Sequence, residues 1–180
     1  ADFQRFMMGW SPGHRKLTGY SDATTEHALD QIAHELQGAA RQACLAAGAY
    51  IQSQRDQPFE VGSKGFDSYA ADVVTKIDLE AQAIILDALR PTIERYDLGV
   101  LAEEGEQDQS RLLKHAFWAI DPMDGTQYFV DGKSGYSTSI ALVSKSGFPL
   151  LAAVYDPVQG HLFEAVSGRG TAGLPVIPHY

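Results

Sequence analysis

Trp118-Ala119-Ile120-Asp121-Pro122-Met123-Asp124-Gly125-Thr126 carries an apolar run straight into two aspartates three residues apart. The run reads as a strand. Pro122 fixes the chain between the carboxylates and Gly125 frees the turn after them, so both side chains can be aimed at one point. Two like charges about 4 Å apart repel by about 1 kcal/mol in water and by several times that near a protein surface. Their convergence therefore implies a cation or a shared proton. Hard oxygen donors favour magnesium over zinc or copper. A plainer reading stands beside this one: Asp121 and Asp124 as caps of a short helix that follows them.

Upstream, Glu103-Glu104-Gly105-Glu106 also follows an apolar run. If the two strands are neighbours, both acidic clusters emerge from one edge of the sheet and Glu103 comes near Asp121. Taken singly, a Glu-Glu turn is a solvated surface feature. A third acidic element, Asp72-Val73-Val74-Thr75-Lys76-Ile77-Asp78, places Asp78 one turn into a helix, where the ordinary explanation is a carboxylate favoured by the helix dipole.

Leu29, Ile32, Leu36, Ala40, Ala43, Ala47 and Ile51 recur at three-or-four spacing and predict an amphipathic helix over residues 26–55. A glycine-rich surface loop or hairpin tip follows at 62–68, with Lys64 its one cation. Ile77, Ala81, Ile84, Ile85, Ala88 and Leu89 predict a second helix from about Thr75, broken or restarted at Pro91. Beyond it, short apolar runs at 98–102, 117–120, 136–143, 150–155 and 162–166 read as strands. The turn-rich connections 144–147 and 156–160 favour antiparallel hairpins. The expected fold class is α+β, with two long helices packed on an antiparallel sheet.

The formal charge, 14 basic against 23 acidic residues or −9, argues against a nucleic acid polymer or an anionic membrane as partner unless metal ions intervene. Cys44 is the only cysteine, so no internal disulfide forms and a reducing, cytoplasmic setting is expected. No apolar run approaches the roughly 18 residues of a membrane span, and the first residues lack a signal-peptide pattern. Gly168-Arg169-Gly170-Thr171-Ala172-Gly173 fits the dinucleotide-binding pattern, but Pro175 and Pro178 stand where the required helix would open, so that reading is set aside.

Asp121-Pro122-Met123-Asp124-Gly125-Thr126 resembles the signature of the inositol monophosphatase superfamily. Glu103-Glu104 resembles its upstream acidic motif, and Val74-Thr75-Lys76-Ile77-Asp78 is similar to its helix-start motif. The resemblance continues through residues 137–143 and 154–158 to Gly168-Arg169-Gly170, covering roughly residues 26–172. It implies the N-terminal, metal-binding part of the family's αβαβα sugar-phosphatase fold, preceded by an arm at 1–25 and followed by an irregular tail at 173–180.

Carried over residue by residue, the resemblance implies that Glu103, Asp121, the backbone carbonyl of Met123 and Asp124 bind two or three magnesium ions, Asp121 bridging a pair, with lithium inhibitory. It further implies that Thr126 with Asp78 accepts a proton from the attacking water while Glu103 serves the same reaction. The amides of Gly125 and Thr126, with Lys64, would hold the phosphate. The implied substrate is a small phosphorylated metabolite, of the inositol monophosphate or 3′-phosphoadenosine 5′-phosphate type. Members of the family are longer, their second half supplying a further metal-binding aspartate in a Trp-Asp motif and most substrate-reading residues. Gln127-Tyr128 replaces the commoner polar pair after the signature. The chain is therefore expected to be completed by missing C-terminal sequence or by a second chain, with a homodimer expected. The alternative is a catalytically inert metal-binding or protein-interaction module.

Overall fold

The spacing of small and apolar residues along the first helix decides how closely it can lie on the sheet. In the computed structural model, which describes residues 22–55, 61–63, 73–105 and 109–173, helix α1 spans Asp22–Gln54 and buries Leu36, Ala40, Ala43, Cys44, Ala47 and Ile51 completely or nearly so. The alanines on that stripe bring the helix backbone down onto the strands beneath. Its start lies four residues ahead of the predicted one.

A two-stranded hairpin follows, β1 (Val61–Ser63) with β2 (Val73–Thr75), and helix α2 (Lys76–Tyr96) begins directly after β2. Pro91 neither breaks nor restarts α2, contrary to the sequence expectation: the helix runs through it to Tyr96. Pro91 stands on the exposed face, where the Asp87 carbonyl that a proline cannot serve is open to water. One residue on, the Thr92 hydroxyl donates to the Leu89 carbonyl at 2.7 Å and accepts from the buried Trp118 indole at 3.1 Å, tying the last turns to the sheet.

The remaining elements are β3 (Gly99–Ala102), α3 (Ser110–Leu113), β4 (Ala116–Asp124), α4 (Thr126–Val130), β5 (Ser137–Ser144), β6 (Pro149–Asp156), β7 (His161–Val166) and β8 (Gly170–Ala172). Strands β3 to β8 form one six-stranded sheet in sequence order. Two long helices on a sheet is the predicted α+β arrangement. The sheet is antiparallel from β4 to β8, but β3 and β4 pair in parallel, which corrects the expectation of a wholly antiparallel sheet. The reason lies in the connection. Residues 103–115 are long enough for a crossover and include α3, whereas a tight hairpin would need only a few residues. At Gly99 an added Cβ would stand 2.8 Å from the Arg111 backbone, so α3 can close over β3 only because that position is glycine.

Residues 168–173, which fit the dinucleotide pattern, form instead a turn and the short strand β8, paired to β7. One face of the sheet, carrying Ala116, Trp118, Ile120, Ile140 and Leu142, is sealed by the helices. On that face Glu164 is 8% exposed and receives both Nε and Nη2 of Arg41 from α1, at 3.1 and 2.6 Å. The opposite face carries Leu101, Ala119, Ala141 and Ala152 in register across four strands, each half-buried. Among the described residues, no helix is long and apolar enough to cross a membrane.

Candidate metal centre

Parallel pairing puts the C-terminal ends of β3 and β4 side by side. Ala102 is registered with Ile120, and the Glu103 amide donates to the Ile120 carbonyl at 3.1 Å. Glu103 thus leaves the sheet beside Asp121, near enough for its carboxylate to disfavour charge on Asp121. An open hollow of about 480 Å³ lies here, with Glu103, Asp121 and Ser139 at its polar end and Ala119, Ala141 and Ala152 along its apolar floor.

A bulge aims the second carboxylate. Asp121 pairs with Ser139 and Asp124 with Ser137, so β4 spends three residues where β5 spends two. Pro122, which has no N–H for the ladder, occupies the bulge. Its carbonyl is held by the Thr138 hydroxyl at 2.9 Å, a bond wholly inside the protein. The Met123 carbonyl accepts from the Thr126 hydroxyl at 3.0 Å. Gly125 makes the exit into α4 at φ 88°, and a Cβ there would stand 2.7 Å from the Gly135 carbonyl oxygen. Glycine is required twice over, by the backbone and by the space.

Burial pushes the Asp121 carboxyl up to about 7, with the Glu103 and Asp124 carboxylates adding to the rise and the Met123 amide opposing it. Asp121 caps no helix, contrary to the plainer sequence reading: Gly125 stands at the N-cap of α4 and no side chain caps it. Oδ1 of Asp121 is buried and has no hydrogen-bond partner. A buried acceptor facing two further carboxylates is a poor arrangement for the protein alone and a good one for a hard divalent cation. The donor set, all oxygen, fits magnesium. Among the described residues, no three His, Cys, Asp or Glu side chains yet close on one point as an ion requires.

Asp78 is 2% exposed in the first turn of α2, which is not where a carboxylate serving only the helix dipole has reason to be. Lys64 lies outside the described residues. Thr138 is the site residue that the sequence reading passed over: a threonine in a strand is ordinary, and only the bulge opposite it gives its hydroxyl a task. Tyr136 was passed over likewise. Its ring meets Phe129 of α4 edge-on at 5.3 Å, and its hydroxyl donates to Gln52 of α1 at 2.8 Å, so α4 is anchored from below.

The model of the inositol monophosphatase family matches residues 32–175. An inositol-1-monophosphatase of Bacillus subtilis is 33% identical over 69% of this chain and 44% of its own length. The Nus factor SuhB of Escherichia coli is 32% identical over 76% of this chain and 49% of its own. Among solved structures, SuhB from Bartonella henselae superposes with a TM-score of 0.66 at 30% identity over 76% of this chain and 51% of that one. CysQ from Bacteroides thetaiotaomicron, a bacterial family member, does so with 0.61 at 31% identity over 78% and 49%. The chain spans about half the length of the curated relatives it matches. With the family model covering most of the chain, this protein belongs to the inositol monophosphatase family.

Proposed function

We propose that this chain carries the metal-binding half of a magnesium-dependent phosphatase acting on a small phosphorylated metabolite. The observation that carries the reading is the position of Glu103 beside Asp121 at the joined ends of β3 and β4, with Asp124 just beyond a bulge and a buried oxygen of Asp121 left without a partner. Glu103, Asp121, the Met123 carbonyl and Asp124 would hold the ions. When bound, magnesium supplies charge neutralisation for the phosphate and a lowered pKa for water.

The chain's own groups divide the remaining work. The Thr126 hydroxyl, held at the Met123 carbonyl, would orient a nucleophile and pass a proton toward Asp78. The amides of Gly125 and Thr126 would meet the phosphate oxygens, with Lys64 reaching the same group. Inositol monophosphate and 3′-phosphoadenosine 5′-phosphate remain the two leading substrates, in keeping with relatives named inositol-1-monophosphatase and CysQ. The residues that distinguish them would come from the length of the relatives this chain does not span, supplied in the same polypeptide or by another chain.

The test is phosphate release from both substrates by the full-length gene product, in magnesium, with and without lithium. Loss of turnover in Asp121→Asn supports the reading; unchanged turnover in that variant rejects it. A second reading, a non-catalytic interaction module, draws on the relatives named Nus factors. It predicts partner binding indifferent to Asp121→Asn.

A further inference from the structure

Strand β3 ends at Ala102, and the bond from the Glu103 amide to Ile120 carries the pairing one residue past it. A free loop would let the Glu103 carboxylate swing over several ångströms, and a metal site needs its donors held to a fraction of that. The second restraint comes from α2. Gln82 is 8% exposed and sits one turn after Asp78, on the same helical face. Its Nε2 donates to the Glu104 carbonyl at 2.7 Å, and its Oε1 accepts from the Glu104 amide at 2.9 Å.

One carboxamide thus satisfies both backbone groups of Glu104. The peptide is pinned on one side by the sheet and on the other by the helix that carries Asp78. No other side chain of this length does both. Glutamate offers acceptors only and would oppose the Glu104 carbonyl, while methionine offers neither a strong donor nor a strong acceptor.

We propose that Gln82 is a positioning residue: it sets the Glu103 carboxylate against Asp121 and locks the metal centre to helix α2. This rests on the magnesium reading above. Outer partners of metal ligands of this kind change affinity by roughly 10- to 100-fold when removed.

Mn²⁺ is the probe, its binding followed by electron paramagnetic resonance on the wild-type chain and on Gln82→Met, Gln82→Glu and Thr92→Val, with urea stability measured for each. Thr92→Val breaks the remote bond to Trp118 on the same helix and reports what mere loosening of α2 does. The expected result is a Kd raised about 10-fold in Gln82→Met and at least as much in Gln82→Glu, with Thr92→Val losing stability but keeping the wild-type Kd. Faster exchange of the Glu104 amide accompanies it in Gln82→Met, which removes the acceptor of that amide. A wild-type Kd in Gln82→Met overturns the inference alone, as does weakening by Thr92→Val in proportion to lost stability. A wild-type chain that takes up no Mn²⁺ defeats the magnesium reading and this inference with it.

Discussion

The carboxyls of Glu103 and Asp121, eighteen positions apart in the chain, are brought together across the parallel junction of β3 and β4. Without divalent ions, the burial of Asp121, with the Glu103 carboxylate adding to it, makes stability depend on pH. The unfolded Asp121 releases its proton near the usual carboxylate value of about 4, whereas the folded one keeps it to about 7. Between those values the folded state binds more protons, so stability falls as pH rises through the window and levels off above it. Urea midpoints measured in chelator at pH 5 and pH 8 should show the fall, and their equality would count against that burial.

Asp121→Asn removes one member of the acidic group. In chelator at pH 8 it should be more stable than the wild type by roughly 1 to 4 kcal/mol, the range set by water-like and surface-like screening of two charges about 4 Å apart. Saturating magnesium should reverse the order, because it stabilises only the chain that binds it. Thermal melts of both proteins with and without magnesium give all four values.

Thr138→Val keeps the shape of the side chain and deletes the hydroxyl that serves the Pro122 carbonyl. A buried acceptor left unpaired costs about 1 to 3 kcal/mol. Because that bond fixes the bulge between Asp121 and Asp124, magnesium affinity should fall together with stability. Calorimetric titration alongside denaturation separates the two losses.

Gly125→Ala forces a side chain into the left-handed region and against the Gly135 carbonyl. About 1 to 3 kcal/mol is expected from the backbone strain alone. Denaturant titration measures it, and a loss below about 0.5 kcal/mol would mean that the turn rearranges.

Burial, with Glu164 adding to it, pushes the Cys44 thiol up to about 12, and its Sγ faces the carbonyls of Ala153 and Thr138. The native thiol should be inert to a disulfide reagent at pH 8 and react at once in denaturant. Fast labelling of the folded chain would contradict the packing of α1 on β5 and β6.

Helix α1 and the body of α2 were legible because their apolar residues repeat with the period of the structure they form, and β5, β6 and β7 because short turns separate them. Pro91 misled for a local reason: a proline on a helix's exposed face loses one hydrogen bond to water rather than to the core. Strand β8 escaped notice, since Gly170-Thr171-Ala172 has no alternation to announce it.

The identity of the chemistry-bearing residues was written in the sequence, as two acidic clusters each closing an apolar run and a glycine after the second. Their meeting was not. Had β3 and β4 paired antiparallel, Glu103 and Asp121 would lie at opposite ends of the sheet. Which strands pair, and in which direction, is set by hydrogen bonds and packing between segments remote along the chain, and local periodicity holds no record of it. The tertiary structure alone decided that Glu103 leaves the sheet beside Asp121, that Thr138 braces the bulge between Asp121 and Asp124, and that Asp78 and Gln82 are buried along one face of α2.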